Sequence, residues 1–169
     1  MIIGIDCGIN GAYTLYNSES MVAESFDIPT LSIDVAGKTR AGNKKKRREI
    51  DLIGLRLHLK SLVSRGVEAI IIEKVHAMPS EGSSAGFNFG KAYGEILATA
   101  YSLNKIIIMT SPQAWKRHYN LIGLDKDASR LLAIEIFGED QYRRKKDHNK
   151  AESALIAAYG KSVMSNHQT

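Results

Sequence analysis

The sequence predicts an α/β fold built on a mixed five-stranded sheet, antiparallel through its first three strands and parallel in the later ones. Three observations lead there. The chain opens with three short apolar or alternating runs joined by turn residues. Two further β-branched runs, "VEAIIIEKV" and "KIIIMT", each follow a helical pattern. Strands separated by helices pair in parallel, whereas strands joined by short turns pair antiparallel.

In order, "MIIGIDC" is a near-continuous apolar run of the kind buried on both faces of a sheet. "GINGAYTLYN" supplies a Gly/Asn turn and a second strand, and "MVAESFDIP" a third, closed by Pro29. Thr30 to Arg48 has no periodicity and reads as a mobile basic loop. "EIDLIGLRLHLKSLVSRG" carries Ile50, Ile53, Leu57 and Leu59 in a helical pattern ended by Gly66. After the strand "VEAIIIEKV", the Gly/Ser-rich "HAMPSEGSSAGFNFG" is a loop leading into the helix "KAYGEILATAYSL". "KIIIMT" is the fifth strand. Ser111 and Pro112 open the helix "SPQAWKRHYNL" as N-cap and first helical residue. "DKDASRLLAIEIFG" and "DHNKAESALIAAYGKSV" are the last two helices. A chain of 169 residues, 1–169, fits a single domain with its own core.

Cys7 is the sole cysteine, and in its apolar run it suits a buried thiol in a reducing compartment rather than a disulfide scaffold. No run approaches the ~20 apolar residues of a membrane span, so the expectation is a cytoplasmic protein with no membrane partner, bacterial or acting in a host cell as a phage product. The net charge is +5 and unevenly placed. Gly37 to Arg48 holds Lys38, Arg40, Lys44, Lys45, Lys46, Arg47 and Arg48 with no acid; Arg143 to Lys146 reads "RRKK" and Trp115 to His118 reads "WKRH". One such run is an ordinary solvated loop. Three between ordered segments favour a polyanion, because each phosphate contact releases condensed counterions.

Two acids end apolar strands, Asp6 in "IIGID" and Glu73 in "AIIIE". Either could be a strand-end turn residue. If the two strands are neighbours, both carboxylates project at one end of the sheet, where burial demands a hydrogen-bonding or cationic partner. The last helix supplies a third acid. At about 100° per residue His148 lies about 40° from Glu152, and Asp147 about 140° away. Asp147 stays in the set as a residue at or before the N-cap, where it is equally an ordinary cap. An oxygen-rich cluster with at most one imidazole suits Mg²⁺ or Mn²⁺ rather than zinc, and beside a basic surface it suits phosphodiester hydrolysis with two ions.

These motifs together resemble the RuvC-type Holliday-junction resolvases of the RNase H-like superfamily, particularly the phage and prophage branch. The stretches that carry the resemblance are "IIGIDCGINGAY", "IIIEKVHAMPSEG", "FNFGKAYGEI", "SPQAWKRHYNL" and "KKDHNKAESALIAAYG". The resemblance implies a homodimer that nicks four-way junctions with Mg²⁺ or Mn²⁺ in DNA recombination and repair. Asp6, Glu73 and Glu152 match its catalytic acids. Its remaining helix position falls on Asn149, so the fourth ligand would be Asp147, His148 or both. Phe87 and Phe89 would stack on unpaired bases at the junction centre, unless one of them, Phe89 more readily than Phe87, is a staple in the core at the helix start. Lys116 and Arg117 would contact phosphate, Trp115 would anchor its helix in the core, and Lys44, Lys45, Lys46, Arg47, Arg143 and Arg144 would complete the DNA surface. The apolar face of "YGEILATAYSL" is the candidate dimer interface. Bacterial members work with a branch-migration helicase, for which the sequence offers no docking segment. Two rival readings are an RNase H-like nuclease acting on RNA–DNA hybrids or other branched DNA, and a nuclease-inactive junction-binding protein.

Overall fold

The computed structural model describes residues 1–38, 40–75 and 82–165. The end of the "IIIEKVHAMPSEG" motif, residues 76–81, and the last four residues of the chain lie outside the described residues.

Five strands form one sheet: β1 (Ile2–Asp6), β2 (Ala12–Asn17), β3 (Val22–Asp27), β6 (Ala69–Glu73) and β7 (Ile106–Thr110), in the order β3-β2-β1-β6-β7. β1–β2 and β2–β3 pair antiparallel, and β1–β6 and β6–β7 parallel, as the strand spacing predicts. The short links in the first half permit hairpins; the helices α1 (Leu52–Val63) and α2 (Ser83–Tyr101) supply the crossovers of the second.

Alternation along the central strands sends side chains to two cores. Ile3, Ile5, Ile70 and Ile72 pack under α1 and α2 with Leu55, Leu59, Leu62 and Ile96. Ile2, Ala69 and Ile71 pack on the other face with Trp115, Leu155 and Ile156, from α3 (Pro112–His118) and α5 (His148–Ser165), and with Ala133 of α4 (Lys126–Phe137). The alanine-rich "ALIAAYG" lets α5 lie almost on the sheet. A Cβ on Gly4 would overlap the Ser153 carbonyl and the Ala157 backbone nitrogen, and one on Gly160 would strike Ile71. A buried hydroxyl network fixes this contact: Thr14 Oγ1 lies 2.6 Å from Ser153 Oγ and 2.8 Å from Ser25 Oγ, which lies 2.9 Å from the Tyr142 hydroxyl.

Three sequence expectations need correction. Thr30 to Arg48 is not a shapeless loop: β4 (Thr30–Lys38) and β5 (Lys44–Ile50) pair antiparallel as a separate two-stranded ribbon. Its strand signal, Leu31, Ile33 and Val35 at period two, is masked in the sequence by the cations of the partner strand, which face Ile33 and Val35 across the register as Arg47 and Lys45. α2 begins at Ser83, so Phe87 and Phe89 stand on its first turns rather than in a loop. In α1 the buried face is Leu55, Leu59 and Leu62, with Ile53 and Leu57 exposed and Ile50 ending β5.

Candidate active site and nucleic-acid interface

The parallel register sets Ile5 opposite Ile72, so Asp6 and Glu73 end adjacent strands side by side. By alternation both leave the sheet on the face of Ile2 and Ile71, the face covered by α3 and α5. Asp6 is buried and Glu73 half-buried. Their negative charges reach a common neighbour: burial, then Asp6, then Glu73, push the Cys7 thiol far up, which leaves it an inert packing group on the opposite face.

α3 follows β7 directly, its start fixed by Ser111 Oγ accepting from Ala114 N and by Pro112 in the first turn. The fully buried Trp115 packs in the core, as expected, and also donates Nε1–H to Glu73 Oε1 at 2.7 Å. A buried indole with one donor requires an acceptor. That requirement is the sequence signal by which this contact could have been found. Glu152 lies one α5 turn beyond His148 and is nearly buried. It pairs with Lys116 Nζ at 3.2 Å and accepts from Ser129 Oγ at 3.3 Å. Lys116 also sits over the Trp115 ring, 5.0 Å from its centroid.

Burial pushes the Glu73 carboxyl above the ordinary value of 4.5; the Trp115 bond opposes this, the Glu152 charge adds to it and Lys116 again opposes. Glu73 and Glu152 are thus electrostatic neighbours in a partly desolvated place, and the Lys116 ammonium paired with Glu152 acts on Glu73 as well.

Asp147 and His148 make contacts of their own at the start of α5. A 3₁₀ turn, Lys145–Asp147, precedes α5, and the Asp147 carboxylate accepts from the Arg144 backbone N at 2.9 Å and from its guanidinium at 2.8 Å. The Arg144 side-chain bonds hold the Asp147 carboxyl below its ordinary value. His148 Nδ1 lies 3.1 Å from Lys145 O, and Asn149 Nδ2 donates to Asn10 O at 2.5 Å. Among the described residues, no three His, Cys, Asp or Glu side chains already converge closely enough to hold an ion. The donor chemistry of Asp6, Glu73 and Glu152 nevertheless fits a hard divalent cation: carboxylates at the buried ends of adjacent strands and on the helix that covers them, with the Lys116 ammonium paired to Glu152.

The basic residues flank this end. Arg48 Nη2 donates to Ile9 O and Asn10 Oδ1, both at 2.8 Å, tying the ribbon to the turn that follows Asp6. On one side of the ribbon a groove runs between Lys46, Arg47 and Arg48 and the α2 residues Asn88, Phe89 and Lys91. On the other a second groove is lined by Arg48, Lys146, His148 and Asn149. Both have Ile9 and Asn10 as floor. Phe89 is half-buried near Gly8, where a Cβ would lie 3.8 Å from its ring, and Phe87 is 73% exposed. Arg117 and Arg143 are exposed, Arg143 pairing with Glu139 at 3.3 Å. The buried Arg130 holds the segment before Arg144 by donating to the carbonyls of Tyr142 and Arg143 at 3.0 and 3.3 Å.

Solved structures share this architecture. RuvC of T. thermophilus in complex with a Holliday junction substrate superposes with a TM-score of 0.56 over 95% of this chain and 94% of that one, at 16% identity. Another Thermus thermophilus RuvC structure gives 0.54 at 17% identity, covering 95% of each chain. The fold is that of RuvC, an RNase H-like fold. The yeast mitochondrial Holliday junction resolvase Ydc2 gives 0.50 at 14% identity, covering 93% of this chain and 75% of that one. In sequence, the chain is 26% identical over 147 residues to the chloroplastic Holliday junction resolvase MOC1 of Chlamydomonas reinhardtii, covering 79% of this chain. It spans only 17% of that relative's length. No family model matches the chain.

Proposed function

We propose that the protein is a structure-specific endodeoxyribonuclease that resolves four-way DNA junctions by divalent-metal-dependent phosphodiester hydrolysis. The observation that carries the reading is the side-by-side placement of Asp6 and Glu73 at the ends of β1 and β6, on the face where α5 brings Glu152, with two cation-lined grooves beginning at the turn after Asp6. The RuvC fold and the junction resolvases among its relatives support the same reading.

Asp6, Glu73 and Glu152 would hold Mg²⁺ or Mn²⁺, two ions in the reading proposed here, which when bound supply an activated water and stabilise the departing 3′ oxygen. The chain's own groups do the rest. Trp115 fixes the Glu73 carboxylate by its 2.7 Å bond, and Ser129 steadies Glu152. Lys116 neutralises Glu152 in the resting protein and lies where it can turn to a phosphate once a cation takes over that charge. Asp147 serves as the structural box that starts α5, and His148 is the remaining candidate for a fourth ligand. Phe89 lines the groove beside the site, and the exposed Phe87 precedes it on the same helix, so both would offer aromatic surface for stacking on unpaired bases.

The apolar face of α2 expected at the interface is instead buried in the core through Ala92, Ile96 and Ala100, so the proposed homodimer uses the outward face. Gly90, Gly94 and Ala98 repeat every four residues there, exposed, and a Cβ on either glycine would meet nothing. A second α2 can therefore approach closely, and a two-fold pair would present two active sites to a two-fold junction. Among the described residues no helix is long and apolar enough to cross a membrane.

The test offers purified protein, with Mg²⁺ or Mn²⁺, four-way junctions, RNA–DNA hybrid, flaps and linear duplex. Cleavage of junctions in preference to the other three is the expected result. Preferential hybrid or flap cleavage, or binding without any cleavage, contradicts it.

A further inference from the structure

The two grooves beside the candidate site are separated by one element, the β4–β5 ribbon. Groove one lies between the ribbon and α2; Glu49 of β5 pairs there with Lys91 at 3.0 Å and with Arg47 at 2.5 Å. Groove two lies between the ribbon base at Thr30 and Arg48 and the start of α5 at Lys146 to Asn149. Arg48, bonded to the Ile9 carbonyl and Asn10, stands at the base of both. The floor they share is the turn that begins two residues after Asp6.

Five consecutive cations on one strand of the ribbon repel one another, and among the described residues two acids pair with them: Asp34 at 3.4 Å from Lys44, and Glu49 with Arg47. Lysines do guard exposed ribbon edges against unwanted strand pairing, but one or two suffice for that. Successive residues of β5 also point to opposite faces, Lys45 and Arg47 against Lys44, Lys46 and Arg48. Lys46, Arg47 and Arg48 line groove one, and Arg48 with Lys146 of the turn before α5 lines groove two, so both grooves present cations to a phosphate backbone.

Resting on the junction-nuclease reading, we infer that the β4–β5 ribbon is a divider placed between two diverging arms of a branched DNA, one arm lying in each groove. The arms part at the floor beside Asp6, so the branch point sits at the acids. Recognition by this element is of branch geometry, through phosphates, and carries no base sequence. A linear duplex has one backbone path to offer and fills one groove.

Lys46 in groove one and Lys146 in groove two test this, because both are exposed and neither is ion-paired among the described residues. Binding is measured without divalent ions, so that no cleavage intervenes, as a function of salt, on a four-way junction and on linear duplex of the same arm sequence. On the junction, Lys46→Ala and Lys146→Ala should each reduce the slope of log K against log salt by ~0.9, and the double variant by ~1.8. On linear duplex at most one of them should change it. Thermal melts matching the wild-type protein establish that the variants are folded. If only one lysine, or neither, changes the junction slope, or if both change the slope on linear duplex, the divider is wrong. Junction nicking with one contributing groove would overturn the divider and leave the nuclease standing. Two-groove binding by a protein that never nicks would support the divider and sink the nuclease.

Discussion

Glu73 is the residue on which burial and chemistry oppose each other most directly. Its carboxyl lies above the ordinary value, chiefly through desolvation. A raised acid contributes stability that is fully present below pH 4.5, its ordinary value, and is lost as pH rises through the raised one. At neutral pH the ionised group therefore costs stability in the metal-free protein. Glu73→Gln, which keeps an acceptor for Trp115, should raise the neutral-pH melting temperature while abolishing nicking, with the difference shrinking on acidification. Melts across pH without divalent ions check this; a variant less stable than wild type at pH 7 would contradict it. Trp115→Phe retains most of the buried ring but removes the donor, and nicking at subsaturating Mg²⁺ should fall about tenfold, equivalent to ~1.4 kcal/mol. Asp147 should behave oppositely to Glu152. Asp147→Asn, by weakening the box with Arg144, should cost about 0.5–2 kcal/mol of stability and leave metal dependence unchanged. Glu152→Gln should do the reverse, as denaturant melts and metal titrations of the two variants would reveal.

At the scale of elements, the closest contact is α5 on β1. Gly4→Ala inserts a methyl where the Ser153 carbonyl and Ala157 backbone already sit, and should destabilise by about 1–3 kcal/mol or more, read from thermal or denaturant unfolding. The central strands were legible because "IIGID" and "AIIIE" are buried on both faces, and such strands read as continuous apolar runs. Asp6 and Glu73 were legible for the same reason, as acids where acids are costly. The ribbon was hidden because cations paired with Ile33 and Val35 erase the apolar signal of a two-stranded element that has no core of its own. The early start of α2 was hidden because Gly and Ser at 82–84 read as loop, although the helix carries them through Gly86, Gly90 and Gly94. The Arg144–Asp147 pairing was not legible either, since it depends on Arg144 bonding back across a 3₁₀ turn. Helical angles alone placed His148 beside Glu152, yet its ring turns to the Lys145 carbonyl.

At the scale of the whole molecule, the proposed two-fold assembly and the proposed metal site together would set two copies of the acid cluster on opposed strands. Ala98→Glu, on the exposed small-residue face of α2, should yield folded monomers by light scattering and replace paired nicks by single ones. Paired nicking by a strictly monomeric variant would contradict that interface. The most direct measurement of the central claim maps cleavage on all four strands of a synthetic four-way junction in Mg²⁺, for the wild-type protein and for Asp6→Asn. The account predicts nicks at symmetry-related positions on two opposed strands, leaving 5′-phosphate and 3′-hydroxyl ends, and none from the variant. Cleavage that persists in Asp6→Asn, or that falls on a single strand or on linear arms regardless of the branch, would contradict it.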